Sequence, residues 1–149
     1  MSRSLAREDA FKLVFEMRVT GAQPEAVIAY MCETADAENE MWAQEKVTRD
    51  SLHYIQDIVT GIEENKEKIN GIIEPKLKKW TIDRLSKVDI SVLQLAVYEI
   101  WYMDSIPLKV TANEAVQLAK KYGGSESGSF INGVIGSVIK EKEAIKELK

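Results

Sequence analysis

The chain has 149 residues, the usual size of one domain and enough to bury a hydrophobic core. Hydrophobic residues make up 45% and charged residues 30%, a balance that excludes a disordered chain. A disulfide scaffold and a four-ligand zinc site are excluded too, because the sequence holds one cysteine, Cys32, and one histidine, His53. The net charge of −4 means that any surface for nucleic acid must be a local basic patch.

The start of the chain is polar and does not resemble a signal peptide. No apolar run approaches the roughly 18 residues that a membrane span needs. We therefore expect a cytoplasmic protein with no membrane partner.

The apolar residues recur at helical intervals, and no stretch alternates polar and apolar residues over the length of a strand. This pattern predicts an all-α fold of about seven helices. The first helix is predicted at about residues 4–18, with Ala6, Ala10, Leu13 and Met17 on its apolar stripe. A second helix opens at Pro24, and a long third helix runs from about Leu52 to Gly71.

A short fourth helix is predicted from Pro75 to about Trp80. Ser86 stands three residues before Asp89, which is the spacing of a capping box at the start of a helix. The helix that follows, residues 90–102, is apolar nearly all round and is predicted to be the central buried one.

Thr111 and Glu114 predict a second capping box, and Gly123 predicts a left-handed cap at the end of the same helix. The last helix is predicted at about residues 127–148. Glycines lower helix stability, so those inside this helix indicate either close backbone packing or the close approach of a partner, and the sequence leaves both open. They are Gly128, Gly133 and Gly136.

No pattern of catalytic residues emerges. His53 is predicted to be a surface residue and Cys32 a small buried one rather than a nucleophile. The glycine-rich segment 123–128 follows a helix and lacks the lysine of a nucleotide-binding loop. The carboxylates after the second helix are predicted to form a solvated acidic face, which includes Glu33, Asp36, Glu38 and Glu40. We expect no enzyme, no cofactor and no metal site.

Two places carry basic residues in a suggestive arrangement. At roughly 100° per residue, Arg3, Arg7 and Arg18 lie within about 60° of one another on the first helix, with Phe11 and Phe15 beside them. Arginine beside aromatic rings is typical of single-stranded RNA binding, but core phenylalanines flanked by snorkelling arginines give the same pattern. Near the other end of the chain, Lys120 and Lys121 form a second basic point or merely complement a helix dipole.

Four segments of the chain carry distinctive motifs. The most specific are PLKVTANEAVQLAKKYG at 107–123 and SFINGVI at 129–135. The other two are WTIDRLSKVD at 80–89, followed by Leu93, Ala96, Tyr98 and Glu99, and AREDAFKL at 6–13. Together these motifs resemble the NusB family of transcription antitermination factors, and the resemblance covers nearly the whole chain.

The resemblance implies a protein of two packed helical subdomains, at about 1–80 and 81–149, without catalytic activity. It implies NusE, a small-subunit ribosomal protein, as partner, and the boxA element of ribosomal RNA leaders as ligand. The pair would join an RNA polymerase elongation complex with other Nus factors and make it resistant to termination. Some family members self-associate, and a homodimer stays open here.

The resemblance also implies site residues. Those implied for RNA are Arg3, Arg7, Lys120, Lys121, Tyr122, Glu126, Ser129 and Phe130, and those implied for NusE are Asp83 and Asp89. The chain departs from the family where Ser4 and Leu5 interrupt an arginine run and where Ser129 replaces a lysine of some members. Because both changes remove positive charge, we expect weak RNA binding by the chain alone and dependence on the partner.

Two alternatives remain. A NusB-like domain also forms the N-terminal part of a ribosomal RNA cytosine methyltransferase, although this chain shows no glycine-rich strand–turn–helix for S-adenosylmethionine. A helical protein-interaction module that does not bind RNA would also fit the interrupted arginine motif and the sequence pI of about 5.2.

Overall fold

The structure is a computed structural model that describes residues 3–35, 41–43 and 48–147. These residues form seven α-helices and two short 3-10 turns, with no strand among them, which confirms the all-α prediction. The helices are α1 (Arg3–Thr20), α2 (Pro24–Thr34), α3 (Arg49–Glu64), α4 (Lys66–Ile73), α5 (Lys87–Tyr102), α6 (Leu108–Tyr122) and α7 (Ser127–Glu147). The 3-10 turns are Glu74–Lys76 and Ile82–Arg84.

The chain divides into two compact units, Met1–Glu64 and Asn65–Lys149. In the first unit α1 packs on α3, and α2 packs on both. The predicted apolar stripe of α1 is buried throughout, and the residues it was predicted from are Ala6, Ala10, Leu13 and Met17. The subdomain boundary near residue 80 stays a prediction.

The second unit is built around α5, which packs against α4, α6 and α7. Every residue of α5 from Ile90 to Val97 is buried, which confirms it as a central helix. Its start is fixed by Ser86, whose Oγ accepts a hydrogen bond of 3.0 Å from the backbone N–H of Asp89. This is the backbone half of the predicted capping box.

The predicted long third helix is two helices. Asn65, between α3 and α4, leaves the helical region with φ −114° and ψ 20°. Ile62 and Ile69 on either side of the break are both buried, so the apolar spacing continues across it. Periodicity therefore could not reveal the break. The predicted helix after Pro75 is also wrong, since this segment forms only the 3-10 turn Glu74–Lys76.

Both predicted ends of α6 are wrong. The helix begins at Leu108 after Pro107, and Thr111 lies inside it, where its hydroxyl donates to Glu99 Oε1 of α5 at 2.6 Å. Gly123 has φ −95° and ψ −172°, an extended conformation rather than a left-handed one. Steric crowding explains this glycine instead, because a Cβ at this position would lie 2.5 Å from Ser127 Oγ.

The single cysteine and the single histidine of the sequence are both exposed. Cys32 is exposed, so the prediction of a buried cysteine is wrong. His53 is exposed as predicted, with Nε2 3.7 Å from Asp57 Oδ2. No cluster of three or more His, Cys, Asp or Glu residues suited to a metal ion occurs in the described part of the chain. Asp36, Glu38 and Glu40 lie outside the described residues.

None of the described helices combines the length and the apolar character needed to cross a bilayer.

Candidate nucleic-acid interface

In the first unit, the start of α1 places two arginines around one tyrosine of α3. Arg3 is exposed, and its Cζ lies 4.4 Å from the centre of the Tyr54 ring. Arg7, one turn later, lies with its Cζ 5.9 Å from the same ring but is only 1% exposed. Arg3 therefore lies at the surface, whereas Arg7 packs beneath it. A direct RNA contact by Arg7 stays a prediction.

The third arginine of α1 is already engaged. Arg18 forms an ion pair with Glu63 of α3, and burial lowers the pKa of its guanidinium below the ordinary value. Phe11 is buried and its ring centre lies 6.2 Å from that of Phe15, which is half-buried. Phe11 is thus a core residue. Of the three arginines predicted to lie together on α1, Arg3 is the one that is exposed.

In the second unit, the end of α6 carries the other predicted basic residues. Lys120 and Lys121 are exposed, and Lys121 Nζ lies 5.4 Å from the centre of the half-buried Tyr122 ring. A Cβ on Gly128 would lie 2.9 Å from Cγ of Lys120. Close packing therefore explains this glycine of α7, and it fixes the stem of Lys120 against the first turn of α7.

A short turn joins α6 to α7 and sets the position of the predicted residues after it. Ser127 closes the turn: its Oγ accepts a hydrogen bond of 3.1 Å from Gly124 N–H, and its own N–H donates to Gly124 O at 3.1 Å. The turn leaves Glu126 and Ser129 exposed and Phe130 half-buried at the start of α7.

Beside this turn lies an open cavity of about 660 Å³, here named the mixed-charge groove. It brings together Asp89, predicted for the partner, with Glu126, Ser129 and Phe130, predicted for RNA. The remaining lining residues are Trp80, Arg84, Leu85, Ser86, Gly124, Ser125 and Ser127. Asp83 is exposed on the 3-10 turn before α5 but does not line the groove, and neither do Lys120, Lys121 and Tyr122.

Asp89 is the electrostatically unusual member of the groove. Its Oδ1 is buried and has no hydrogen-bond partner among the described residues. Buried carboxylate oxygens are normally paired, because desolvation without a donor is costly. Since Asp89 also lines the groove, its carboxylate is a candidate partner for a cationic group that enters there.

Trp80 and Arg84 line the groove, although neither was predicted as a site residue. Trp80 was predicted as the end of a short helix and as the first residue of the motif at 80–89, and it is 50% exposed beside Phe130 in the groove. The signal was present in the sequence as two lysines followed directly by a tryptophan, a basic and aromatic combination.

The described helices and the groove define a helical protein with basic and aromatic side chains around a helix junction, an arrangement suited to binding. The NusB family model matches residues 4–140, and the chain belongs to the NusB family. This family consists of non-enzymatic RNA-binding factors.

Curated relatives agree with this assignment. The chain is 41% identical over 141 residues to transcription antitermination protein NusB of Clostridium botulinum (strain Loch Maree / Type A3), covering 93% of this chain and 100% of the relative. It is 42% identical over 142 residues to the protein of the same name from Acetivibrio thermocellus, covering 95% and 91%.

Solved structures agree as well. NusB of T. maritima matches with a TM-score of 0.81 and 31% identity, over 95% of this chain and 92% of that one. A crystal structure of the antitermination factors NusB and NusE in complex with double-stranded RNA contains a chain that matches with a TM-score of 0.79 and 28% identity, over 93% and 96%.

Proposed function

We propose that this protein is a transcription antitermination factor that binds boxA-type RNA together with NusE. The pair would join the RNA polymerase elongation complex with other Nus factors, in the cytoplasm, and help it read through terminators in ribosomal RNA operons. The observation that carries the proposal is identity of 41–42% to antitermination proteins over nearly the full length of both chains. The motifs at 107–123 and 129–135 form the α6–α7 junction described above.

Each unit contributes separate groups to RNA binding. Arg3 from the first unit and Lys120 and Lys121 from the second are exposed cations suited to phosphates, so affinity should fall as salt rises. Tyr122 and Phe130 are half-buried rings on which an unstacked base can lie. Glu126 and Ser129 are the exposed polar members of the proposed RNA-binding residues. Arg7, buried beside the Tyr54 ring, is proposed as the remaining RNA-binding residue of the first unit.

The partner is proposed to bind at Asp89 and Asp83, with a basic side chain pairing with the half-buried carboxylate of Asp89. Because Asp89 and Phe130 line the same groove, a partner seated there lies next to bound RNA. Contact between partner and RNA would then raise the affinity of each for the protein. This accounts for RNA binding that depends on the partner.

The methyltransferase alternative is not favoured. The antitermination relatives are matched over 91–100% of their own length, so the resemblance is to these proteins rather than to one part of a longer enzyme. An interaction module without RNA binding remains the competing outcome of the experiment below.

The test is fluorescence anisotropy of a labelled boxA-type RNA, with and without the cognate NusE, at two salt concentrations. We expect weak binding by the protein alone, tighter binding with NusE, and a loss of affinity as salt rises. A scrambled RNA of equal length controls for charge alone. Absence of RNA binding in both conditions, with NusE still bound, would support the interaction module and overturn the proposal.

A further inference from the structure

A second cavity, of about 400 Å³, lies beside the mixed-charge groove and is here named the basic groove. The two share Trp80, Ser129 and Phe130. The other residues that line the basic groove are Lys76, Lys78, Lys79, Gly133, Val134 and Ser137. Its lining contains three lysines and no carboxylate, whereas Asp89 and Glu126 line the mixed-charge groove. The charge of the basic groove therefore favours a polyanion.

The three lysines differ in availability. Lys76 Nζ donates to Ile72 O at 2.8 Å and to Glu141 Oε1 at 3.2 Å, so its charge is engaged within the unit. Lys78 and Lys79 are exposed and form no ion pair with the residues that the structure describes. Two adjacent cations are thus available at the rim of the groove.

Trp80 gives this surface a second property. Its side chain is 50% exposed, an unusual placement for the largest apolar ring, and it follows the two available lysines directly in the chain. An exposed aromatic ring beside cations is the combination that single-stranded nucleic acid uses, with a base on the ring and phosphates on the cations.

Gly133 gives independent support for a ligand in the basic groove. It lies inside α7, where glycine lowers helix stability, and a Cβ built on it would meet nothing within 4 Å. Close packing, which explains Gly128, therefore does not explain Gly133. Gly136 also has open space but does not line the groove. At Gly133 the missing side chain lets a ligand approach the backbone of α7.

We propose that the basic groove holds a segment of single-stranded RNA that continues from Phe130. One base stacks on Trp80, the adjoining phosphates lie on Lys78 and Lys79, and the strand passes close over Gly133. The inference rests on the proposed function and extends it, since it adds residues and length to the RNA-binding surface. The competing occupant, an acidic segment of a protein partner, is an outcome of the test.

The test compares anisotropy with three labelled RNAs in the presence of NusE. One is the boxA-type core, and the other two are that core extended by about six nucleotides, at the 5′ end in one and at the 3′ end in the other, within the site size of a single-stranded binding groove. The groove variants are Trp80→Ala, Gly133→Ala and the double variant Lys78→Ala with Lys79→Ala. The matched controls are Gly71→Ala, at another open glycine in a helix, and Lys140→Ala, at an exposed lysine outside the groove.

We expect the native protein to bind one extended RNA more tightly than the core RNA. The groove variants should bind that extended RNA no more tightly than the core. Trp80→Ala should weaken binding of the extended RNA about fivefold or more, as loss of one stacked base does. In the double lysine variant, the slope of log K against log[salt] should become shallower by about 1.4, because two phosphate contacts are lost. Gly133→Ala should raise the melting temperature of the protein but weaken its binding of the extended RNA. Gly71→Ala should raise the melting temperature without changing RNA binding.

The outcomes separate this inference from the function on which it rests. If the native protein binds the core RNA but gains nothing from either extension, or if the groove variants bind the extended RNA as the native protein does, the inference is overturned while the function stands. Loss of NusE binding with RNA binding intact in the lysine variant would assign the groove to protein and also overturn it. Failure of the native protein to bind any of the three RNAs would remove both.

Discussion

The guanidinium carbon of Arg3 lies 4.4 Å from the centre of the Tyr54 ring, and that ring is only 2% exposed. Arg7 approaches the same ring at 5.9 Å from the buried side of α1. A single tyrosine of α3 thus holds one arginine at the surface and one beneath it. Two residues with the same predicted role therefore have different consequences when they are replaced.

We expect Arg7→Ala to lower the free energy of unfolding by about 2 kcal/mol, because it removes a desolvated cation from the Tyr54 ring. Arg3→Ala should change stability by less than about 0.5 kcal/mol, as exposed substitutions do, but should weaken RNA binding. Urea denaturation and RNA anisotropy on both variants check this. Equal stability of the two variants would contradict the packing role of Arg7.

Phe130 lines both grooves and is expected to stack a base. Phe130→Ala should weaken RNA binding by about 1–3 kcal/mol, the usual value of one stacked base, with an unchanged circular dichroism spectrum. Phe130→Tyr should retain most of the affinity, because it keeps the ring. An alanine variant that binds RNA as tightly as the native protein would exclude Phe130 from the interface.

Asp89 separates the partner from the RNA. Asp89→Asn keeps the backbone N–H that Ser86 Oγ accepts, so the start of α5 should remain intact. Loss of this half-buried carboxylate charge should weaken NusE binding by about 2 kcal/mol, roughly 30-fold in Kd. Titration calorimetry with NusE measures this, and Asp104→Asn, at an exposed carboxylate outside both grooves, is the control. Unchanged NusE affinity would remove Asp89 from the partner surface.

Thr111 and Glu99 form a buried contact between α6 and α5, with exposures of 1% and 0%. Thr111→Val keeps the shape but removes the donor to the carboxylate, and should cost about 1–3 kcal/mol of stability. Thr111→Ser should cost less because it keeps the hydroxyl. Urea denaturation distinguishes the two, and equal stabilities would show that the hydrogen bond contributes nothing measurable.

The sequence predicted the helices well wherever apolar spacing decides them. The buried stripe of α1 and the buried length of α5 follow directly from periodicity, because a helix with apolar residues on one side or all round must bury them. The break at Asn65 was missed because Ile62 and Ile69 stay in register across it. Thr111 was wrongly predicted to cap α6, because the sequence does not distinguish a threonine that caps a helix from one that donates a hydrogen bond to another helix, here to Glu99 of α5.

The site was less predictable than the fold. A helical wheel places Arg3, Arg7 and Arg18 together, but it cannot show that Tyr54 and Glu63 of α3 engage them. Trp80 was overlooked because its importance depends on residues about 50 positions later, Ser129 and Phe130. Such contacts come from tertiary packing, which local patterns do not record. The motifs around the α6–α7 junction were informative because they belong to a family.

The most direct test of the central claim is terminator read-through in a reconstituted transcription reaction. The template carries a boxA element upstream of a terminator, and the reaction contains RNA polymerase, NusE and the other Nus factors. We predict that adding this protein raises the read-through fraction on this template but not on one with a scrambled boxA, and that Phe130→Ala lowers it. Equal read-through with and without the protein, while NusE and RNA are bound, would contradict the account.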